Sequence, residues 1–180
     1  FGEHFSGVYT YHTVPVTNFG TSLLYGYSYS KSFPKKEFTP FGIDSRAKNS
    51  SFFIHQDMFK KDEYLGEVYF GLEAKDKTTK MNTGTTNRDR LRILTWGINL
   101  IHKAFGSVTY FKPEFSQGIN LFGARRKNPF SSRGAKNTFS KFNLEIQHKR
   151  ILPLGLQANL NLKNQLASGK LTPQEEFYLG

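Results

Sequence analysis

Apolar and polar residues alternate one by one along several long stretches of this chain, and that period of two constrains its fold strongly. Successive side chains of a β-strand point to opposite faces, whereas a helical face would repeat about every 3.6 residues. Near the C-terminal end, Leu156, Ala158, Leu160 and Leu162 alternate with Gln157, Asn159, Asn161 and Lys163. The same alternation recurs in residues 23–30, 67–75 and 141–147. The pattern predicts an all-β chain whose strands each have one apolar or aromatic face and one polar face.

Eight such segments can be drawn, and together they predict an antiparallel meander. They cover residues 6–16, 21–32, 50–60, 65–79, 90–103, 107–122, 138–151 and 155–167. The fifth segment is rich in apolar residues on both faces, which leaves its register ambiguous. The sixth contains Pro113, which is expected only at a sheet edge or a bulge.

The connections between these predicted strands alternate between short and long. The short ones are residues 16–20, 60–64, 104–106 and 152–155; the long ones are residues 33–49, 80–89, 123–137 and a stretch that begins at Ser168. In a meander every second turn lies at the same end, so this pattern is typical of a transmembrane β-barrel. A soluble sandwich or a lipocalin-like barrel, with its apolar face turned inward, would show the same alternation and stays open at this point.

The charge balance favours an anionic partner. The 180 residues contain 25 Lys and Arg against 14 Asp and Glu, so that 25 − 14 = +11. One cluster comprises Arg125, Arg126, Lys127, Arg133 and Lys136, and a second comprises Lys31, Lys35, Lys36, Arg46 and Lys48. Both fall mainly in predicted loops, either as solvated charges or as contacts to anions. Because the tyrosines of residues 25–29 share a face with Leu23 rather than with cations, we expect no nucleic-acid partner.

The sequence offers no convincing catalytic, cofactor or metal site. It has no cysteine, and its five histidines are scattered without the spacing of a metal site. His55 and Asp57 share a strand face, where a solvated pair is the simpler interpretation. Glu175 and Glu176 are adjacent and would point apart in an extended segment, which does not suit paired acid and base work. We therefore expect a protein that is not an enzyme and that uses no cofactor.

The final stretch carries a family resemblance. Residues 154–180 resemble the end of a strand and the run that follows it in the haemolysin-activator family (ShlB/FhaC type), the outer-membrane transporters of two-partner secretion. The matching residues are Leu171, Pro173, Glu175, Phe177, Leu179 and Gly180; where the family usually has Glu-Gln before the Phe, this chain has Glu175-Glu176. Residues 14–16 with 21–30, and residues 116–124, resemble other family segments more weakly.

The resemblance implies a bacterial outer-membrane barrel of sixteen strands, of which residues 1–180 would be strands four to eleven. By the same resemblance, two periplasmic POTRA domains would precede this segment, and a plug loop carrying a Val-Arg-Gly-Tyr motif and further strands would follow it. The implied function is a pore that passes an unfolded exoprotein, resembling a haemolysin or an adhesin, from the periplasm to the cell surface. Barrel assembly, as in the BamA-type superfamily, and a soluble basic β-barrel that binds anions or RNA are the alternatives.

Three sets of residues follow as candidate sites. The residues expected to line the pore, or equally to form a structural ladder inside it, are Glu67, Glu73, Lys75, Lys141, Asn143, Glu145, Gln147, Gln157, Asn159, Asn161 and Lys163. The root of the plug loop would comprise Leu171, Pro173, Glu175, Phe177, Leu179 and Gly180. Arg125, Arg126, Lys127, Arg133 and Lys136 would lie in an outer loop that contacts the phosphates of lipopolysaccharide.

Overall fold

Eight long strands form one antiparallel sheet. The computed structural model describes residues 3–34, 40–124 and 135–176. The strands are β1 (Glu3–Pro15), β2 (Thr21–Pro34), β3 (Asp44–Lys60), β4 (Tyr64–Met81), β5 (Gly84–Ala104), β6 (Ser107–Gly118), β7 (Ser140–Ile151) and β8 (Gln157–Ala167), with a short 3-10 turn at Pro153–Gly155. Each strand pairs with the next along the chain. The predicted all-β meander of eight strands is confirmed.

The connection between β4 and β5 differs from the prediction. Residues 80–89 were expected to form a long loop, but β4 continues to Met81 and β5 begins at Gly84, so only Asn82 and Thr83 lie between them. The polar residues here keep a strand pairing, with Thr78 opposite Arg88 and Lys77 opposite Asp89. Gly84 has a φ of 119°, which a residue with a side chain rarely adopts, and this allows the tight turn. The predicted loop is therefore wrong, because these polar residues stay extended by pairing with the neighbouring strand.

The other strand ends are close to their predicted positions. The turns between β1 and β2, β3 and β4, β5 and β6, and β7 and β8 are all short and lie at one end of the sheet. At the opposite end β3 begins at Asp44, six residues before the predicted start, and β6 ends at Gly118 rather than at residue 122. At the end away from the short turns, β2 to β5 therefore extend further than predicted, whereas β6 and β7 are shorter than predicted.

One face of the sheet, here called the apolar face, carries a continuous row of large apolar side chains. Residues directly opposite each other in the ladder share a face, so the pairing registers identify the row. It crosses all eight strands through Val14, Leu23, Ile54, Phe70, Trp96, Phe115, Phe142 and Leu166. Phe70 remains 50% exposed and Trp96 remains 43% exposed, so the described part of the chain leaves these side chains of the apolar face uncovered.

The opposite face, here called the polar face, holds the small core. Leu91 and Ile93 of β5 lie there with Phe139, and they are covered by Leu171 from the segment after β8. Residues 168–176, here called the covering segment, thus fold back over the polar face rather than leaving the sheet. Among the residues that the structure describes, no helix has the length and apolar character needed to cross a membrane.

Candidate functional site

All eleven residues predicted to line a pore lie on the polar face. Glu67, Glu73 and Lys75 occupy alternate positions of β4, and their registers lead through β5 and β6 to the remaining eight on β7 and β8. Alternate residues of a strand share a face, so the period of two in the sequence was enough to group them.

Glu175 joins the covering segment to two distant strands. Lys75 Nζ of β4 donates to Glu175 Oε1 at 2.8 Å, and Lys141 Nζ of β7 donates to Glu175 Oε2 at 2.7 Å. The Glu175 side chain is only 2% exposed, and the Lys141 side chain is 9% exposed. A carboxylate that is taken out of water at this depth needs its charge partners, because an unpaired buried charge is strongly destabilising. We call this arrangement of Lys75, Glu175 and Lys141 the glutamate clamp.

The covering segment is also held by its backbone and by apolar contact. A turn closes where the amide of Glu175 donates to the carbonyl oxygen of Thr172 at 2.8 Å. Pro173 occupies the second position of that turn, where its fixed φ is favourable. Gln165 Nε2 of β8 donates to the carbonyl oxygen of Glu175 at 3.2 Å, while Leu171 packs into the core. The segment is therefore docked as a unit rather than attached by one ion pair.

Cross-strand pairs continue along the polar face towards the short-turn end. Tyr69 Oη donates to Glu114 Oε2 at 2.8 Å, and Asn143 Nδ2 donates to Glu114 Oε1 at 3.1 Å. Asn99 Nδ2 donates to Glu67 Oε1 at 2.7 Å, and Lys163 forms an ion pair with Glu145 at 3.0 Å. The acidic side chains of this face thus meet donors on other strands of the sheet, as expected of a polar ladder between strands.

His55 belongs to this ladder rather than to a catalytic pair with Asp57. Its Nδ1 lies 3.0 Å from Glu67 Oε1, and its ring stacks on Tyr69 with a centroid separation of 5.5 Å. Within the described parts of the chain, no group of three His, Asp or Glu side chains could hold a metal ion.

At two glycines of the polar face, an aromatic ring from the neighbouring strand packs directly against the backbone. A Cβ at Gly97 would collide with the Tyr69 ring and lie 2.9 Å from the Pro113 carbonyl oxygen. A Cβ at Gly71 would collide with the Phe53 ring. Because Gly97 has no side chain, Tyr69 can lie across β5 and reach Glu114 on β6. The close approach explains why these two strand positions are glycine.

The remaining predicted site residues are only partly described. Of the predicted plug-loop root, Leu171, Pro173 and Glu175 lie in the covering segment, and Phe177, Leu179 and Gly180 fall outside the described residues. Of the predicted lipopolysaccharide loop, Lys136 is exposed, and Arg125, Arg126, Lys127 and Arg133 fall outside the described residues. Gln157, Asn159, Asn161 and Lys163 are exposed on β8, which has a strand partner on one side only in this sheet.

Several buried polar residues were missed from the sequence. Asp89 is 1% exposed and Thr172 is fully buried. Asp89 Oδ2 accepts from Asn87 Nδ2 at 3.0 Å and from Gln174 Nε2 at 3.5 Å, which ties the covering segment to β5. Asp89 and Thr172 lie in predicted loops. They are buried where the covering segment lies against β5. A local sequence signal for this burial does not exist.

Comparisons with known proteins identify the family through a family model and the fold through solved structures. The family model for the haemolysin secretion/activation protein ShlB/FhaC/HecB matches residues 3–180. Among solved structures, CdiB from Escherichia coli matches with a TM-score of 0.79 and 18% identity, over 93% of this chain and 32% of that chain. CdiB from Acinetobacter baumannii matches with a TM-score of 0.76 and 14% identity, over 99% of this chain and 32% of that chain. The chain thus spans about a third of these structures, and no curated protein sequence matches it significantly.

Proposed function

The chain belongs to the haemolysin secretion/activation protein family ShlB/FhaC/HecB, and on that premise we propose that it forms part of an outer-membrane pore for protein secretion. In this proposal the pore passes an unfolded exoprotein from the periplasm to the cell surface. The exoprotein would resemble a haemolysin or an adhesin.

The observation that carries the proposal is the division of the sheet into two unlike faces. An apolar row crosses all eight strands on one face, and paired polar side chains occupy the other. In a membrane barrel the backbone groups pair between strands, the outer face contacts lipid and the inner face can be wet and charged. This division supports lipid on the apolar face and a hydrated path along the polar face.

The polar face suits the passage of an unfolded chain. Its carboxylates already have donors on other strands, for example Glu114 of β6 with Tyr69 of β4 and Asn143 of β7. Groups that are already paired offer a passing chain hydration and weak contacts rather than one tight binding site. The structural ladder and the lining of the path are then the same side chains.

The covering segment is proposed as the root of a plug. It occupies the polar face and is held by the glutamate clamp, so a wide path along this face requires the covering segment to move. The clamp joins β4 to β7 through one carboxylate, so releasing Glu175 breaks both of its ion pairs at once, while Lys75 keeps its ion pair with Glu73 at 3.2 Å. We propose that this release accompanies opening of the pore.

Further strands are proposed to complete the barrel. β1 and β8 each have a strand partner on one side only in the described sheet, and such edges need cover or pairing. A barrel of sixteen strands, with paired periplasmic domains upstream, would provide this. The outer loop of residues 125–136 remains proposed as a contact to lipopolysaccharide; removing its cations should weaken lipid retention and leave secretion intact.

Deletion of the gene in the native bacterium tests the proposed function. We expect the cognate exoprotein to be lost from the cell surface and medium, with normal levels of other outer-membrane barrels. The purified full-length protein should also conduct ions across a planar bilayer. Normal export of the exoprotein together with a general loss of outer-membrane barrels would contradict the proposal and favour an assembly function.

A further inference from the structure

Two rows of cations lie on the apolar face at the end away from the short turns. Arg46 of β3 shares a row with Thr78 and Arg88, and Lys48 shares the next row with Asp76 and Arg90. These positions alternate in register with the large apolar residues of the same strands, so their side chains leave the sheet on the same side. We call Arg46, Lys48, Arg88 and Arg90 the cationic rows.

The order of rows along these strands matches the layers of a membrane surface. The row of Phe52, Leu72 and Leu94 is apolar, the next row holds Ser50, Ala74 and Arg92, and the cationic rows follow. In β2, Tyr27 lies opposite Ser50 and Tyr29 lies opposite Lys48, so both tyrosines stand in these rows. Tyrosine is enriched where the hydrocarbon meets the headgroups. The strands therefore pass from apolar to aromatic to cationic over a few residues.

The spacing of these rows places the cationic rows well beyond the apolar row, on the headgroup side of the membrane surface. Neighbouring rows on one face are two residues apart, or about 6.6 Å along a strand. The cationic rows thus lie about 13–20 Å beyond the apolar row along the strand, and less in depth because barrel strands tilt by roughly 35–45°. The headgroup layer begins at the edge of the hydrocarbon and extends about 5–8 Å beyond it on each side. Cations at this level can meet phosphates without entering hydrocarbon.

The cationic rows border an open groove with an excess of positive charge. The groove has a volume of about 950 Å³ and is bordered by five Lys or Arg residues and two Asp residues, so that 5 − 2 = +3. Asp76 is engaged by Arg92 at 2.7 Å, and Arg46 is bonded to Asp44 at 2.7 Å. Arg can hold a phosphate through two parallel hydrogen bonds, which suits a groove that contains three arginines.

We propose that this groove binds the phosphate groups of lipopolysaccharide in the outer leaflet. The proposal rests on the outer-membrane location proposed above. Short turns lie at the periplasmic end of such barrels, so the cationic rows lie at the external end. The external leaflet of a bacterial outer membrane presents lipopolysaccharide, whose lipid A carries phosphates beside its acyl chains. The groove is bordered by residues of β2 to β5, which are different residues from those of the loop proposed above.

A charge-matched pair of variants tests the groove. The test variant is Lys48→Gln, Arg88→Gln and Arg90→Gln; the control is Lys60→Gln, Lys61→Gln and Arg150→Gln, which removes three exposed cations at the short-turn end. Both are made in the full-length protein, and their location in the outer membrane and their secretion of the exoprotein are measured first. Lipopolysaccharide retained per mole of detergent-purified protein is then quantified. We expect the test variant to retain less by about tenfold and the control to match the wild type.

A second measurement uses the wild type alone and so does not depend on how a variant folds. Purified protein should bind lipid A that carries both phosphates about tenfold more tightly than dephosphorylated lipid A with the same acyl chains. Equal binding of the two lipids, or equal lipopolysaccharide retention by test and control variants that both reach the outer membrane and secrete, would overturn this inference and leave the pore proposal standing. Absence of the wild type from the outer membrane would overturn both.

Discussion

At the scale of single residues, Glu175 joins parts of the chain that are far apart in the sequence. It brings together the covering segment, β4 and β7, and it accepts from two lysines while almost fully buried. Glu175→Gln keeps the size of the side chain but leaves Lys75 and Lys141 without their shared countercharge. A hydrogen bond to a charged group contributes about 1.5–3 kcal/mol. We therefore expect Glu175→Gln to raise the fraction of molecules with an undocked covering segment by roughly tenfold or more.

Labelling of a buried position measures this undocking. Thr172 is fully buried, its hydroxyl has no hydrogen-bond partner, and the chain has no cysteine of its own, so Thr172→Cys provides a mild reporter. In the Glu175→Gln background the thiol should react faster with a water-soluble maleimide, and single-channel openings should be more frequent. Glu176→Gln is the control, because Glu176 is exposed next to it. Equal labelling rates in the two backgrounds would show that the clamp does not hold the segment.

Gly97 makes a second prediction at the residue scale. Gly97→Ala places a methyl group against the Tyr69 ring and the Pro113 carbonyl oxygen, so Tyr69 must leave Glu114 or the strands must separate. Overpacking of this kind costs about 1–3 kcal/mol. We expect the folded, heat-modifiable band on a gel to unfold at a lower temperature. Gly169→Ala, which meets no atom within 4 Å, should leave that temperature unchanged.

At the scale of elements, β8 allows a matched test of the two faces. Leu162 lies on the apolar face and Asn161 on the polar face of the same strand, and both are exposed in this chain. In water, lysine at either position would be tolerated. In a bilayer, Leu162→Lys should destabilise the protein by about 2–4 kcal/mol if the position lies near the membrane centre, while Asn161→Lys should have little effect. Unfolding in lipid vesicles measures both; equal stabilities would contradict lipid contact at Leu162.

The elements also show what the sequence could predict and where it failed. Alternation identified the eight strands and grouped the polar residues of β4, β7 and β8 on one face, because side-chain direction in a strand is a local property. The extension of β4 and β5 to a turn at Asn82 and Thr83 was missed. Outside an apolar environment a strand needs no apolar side chains, so residues 80–89 look like a loop. Pairing with a neighbour, rather than hydrophobicity, keeps them extended.

At the scale of the whole molecule, the candidate site could be predicted only in part. Glu175 was singled out through a resemblance, but its partner Lys75 is 100 residues away in the sequence. The contact exists because the covering segment turns back over four strands, and local patterns do not encode that path. Asp89 and Asn137 were missed for the same reason, since both are buried by chain segments that are distant in sequence.

The central claim is that the apolar face contacts lipid while the polar face is wet, and β4 tests it most directly. Single spin labels at Glu67, Val68, Phe70, Leu72 and Glu73 in the full-length protein, reconstituted in bilayers, sample both faces of one strand. Collision rates are measured with oxygen, which concentrates in lipid, and with a water-soluble nickel chelate. We predict high oxygen access at Val68, Phe70 and Leu72 and the opposite preference at Glu67 and Glu73. Uniform access along the strand, or oxygen preference at the glutamate positions, would contradict the account.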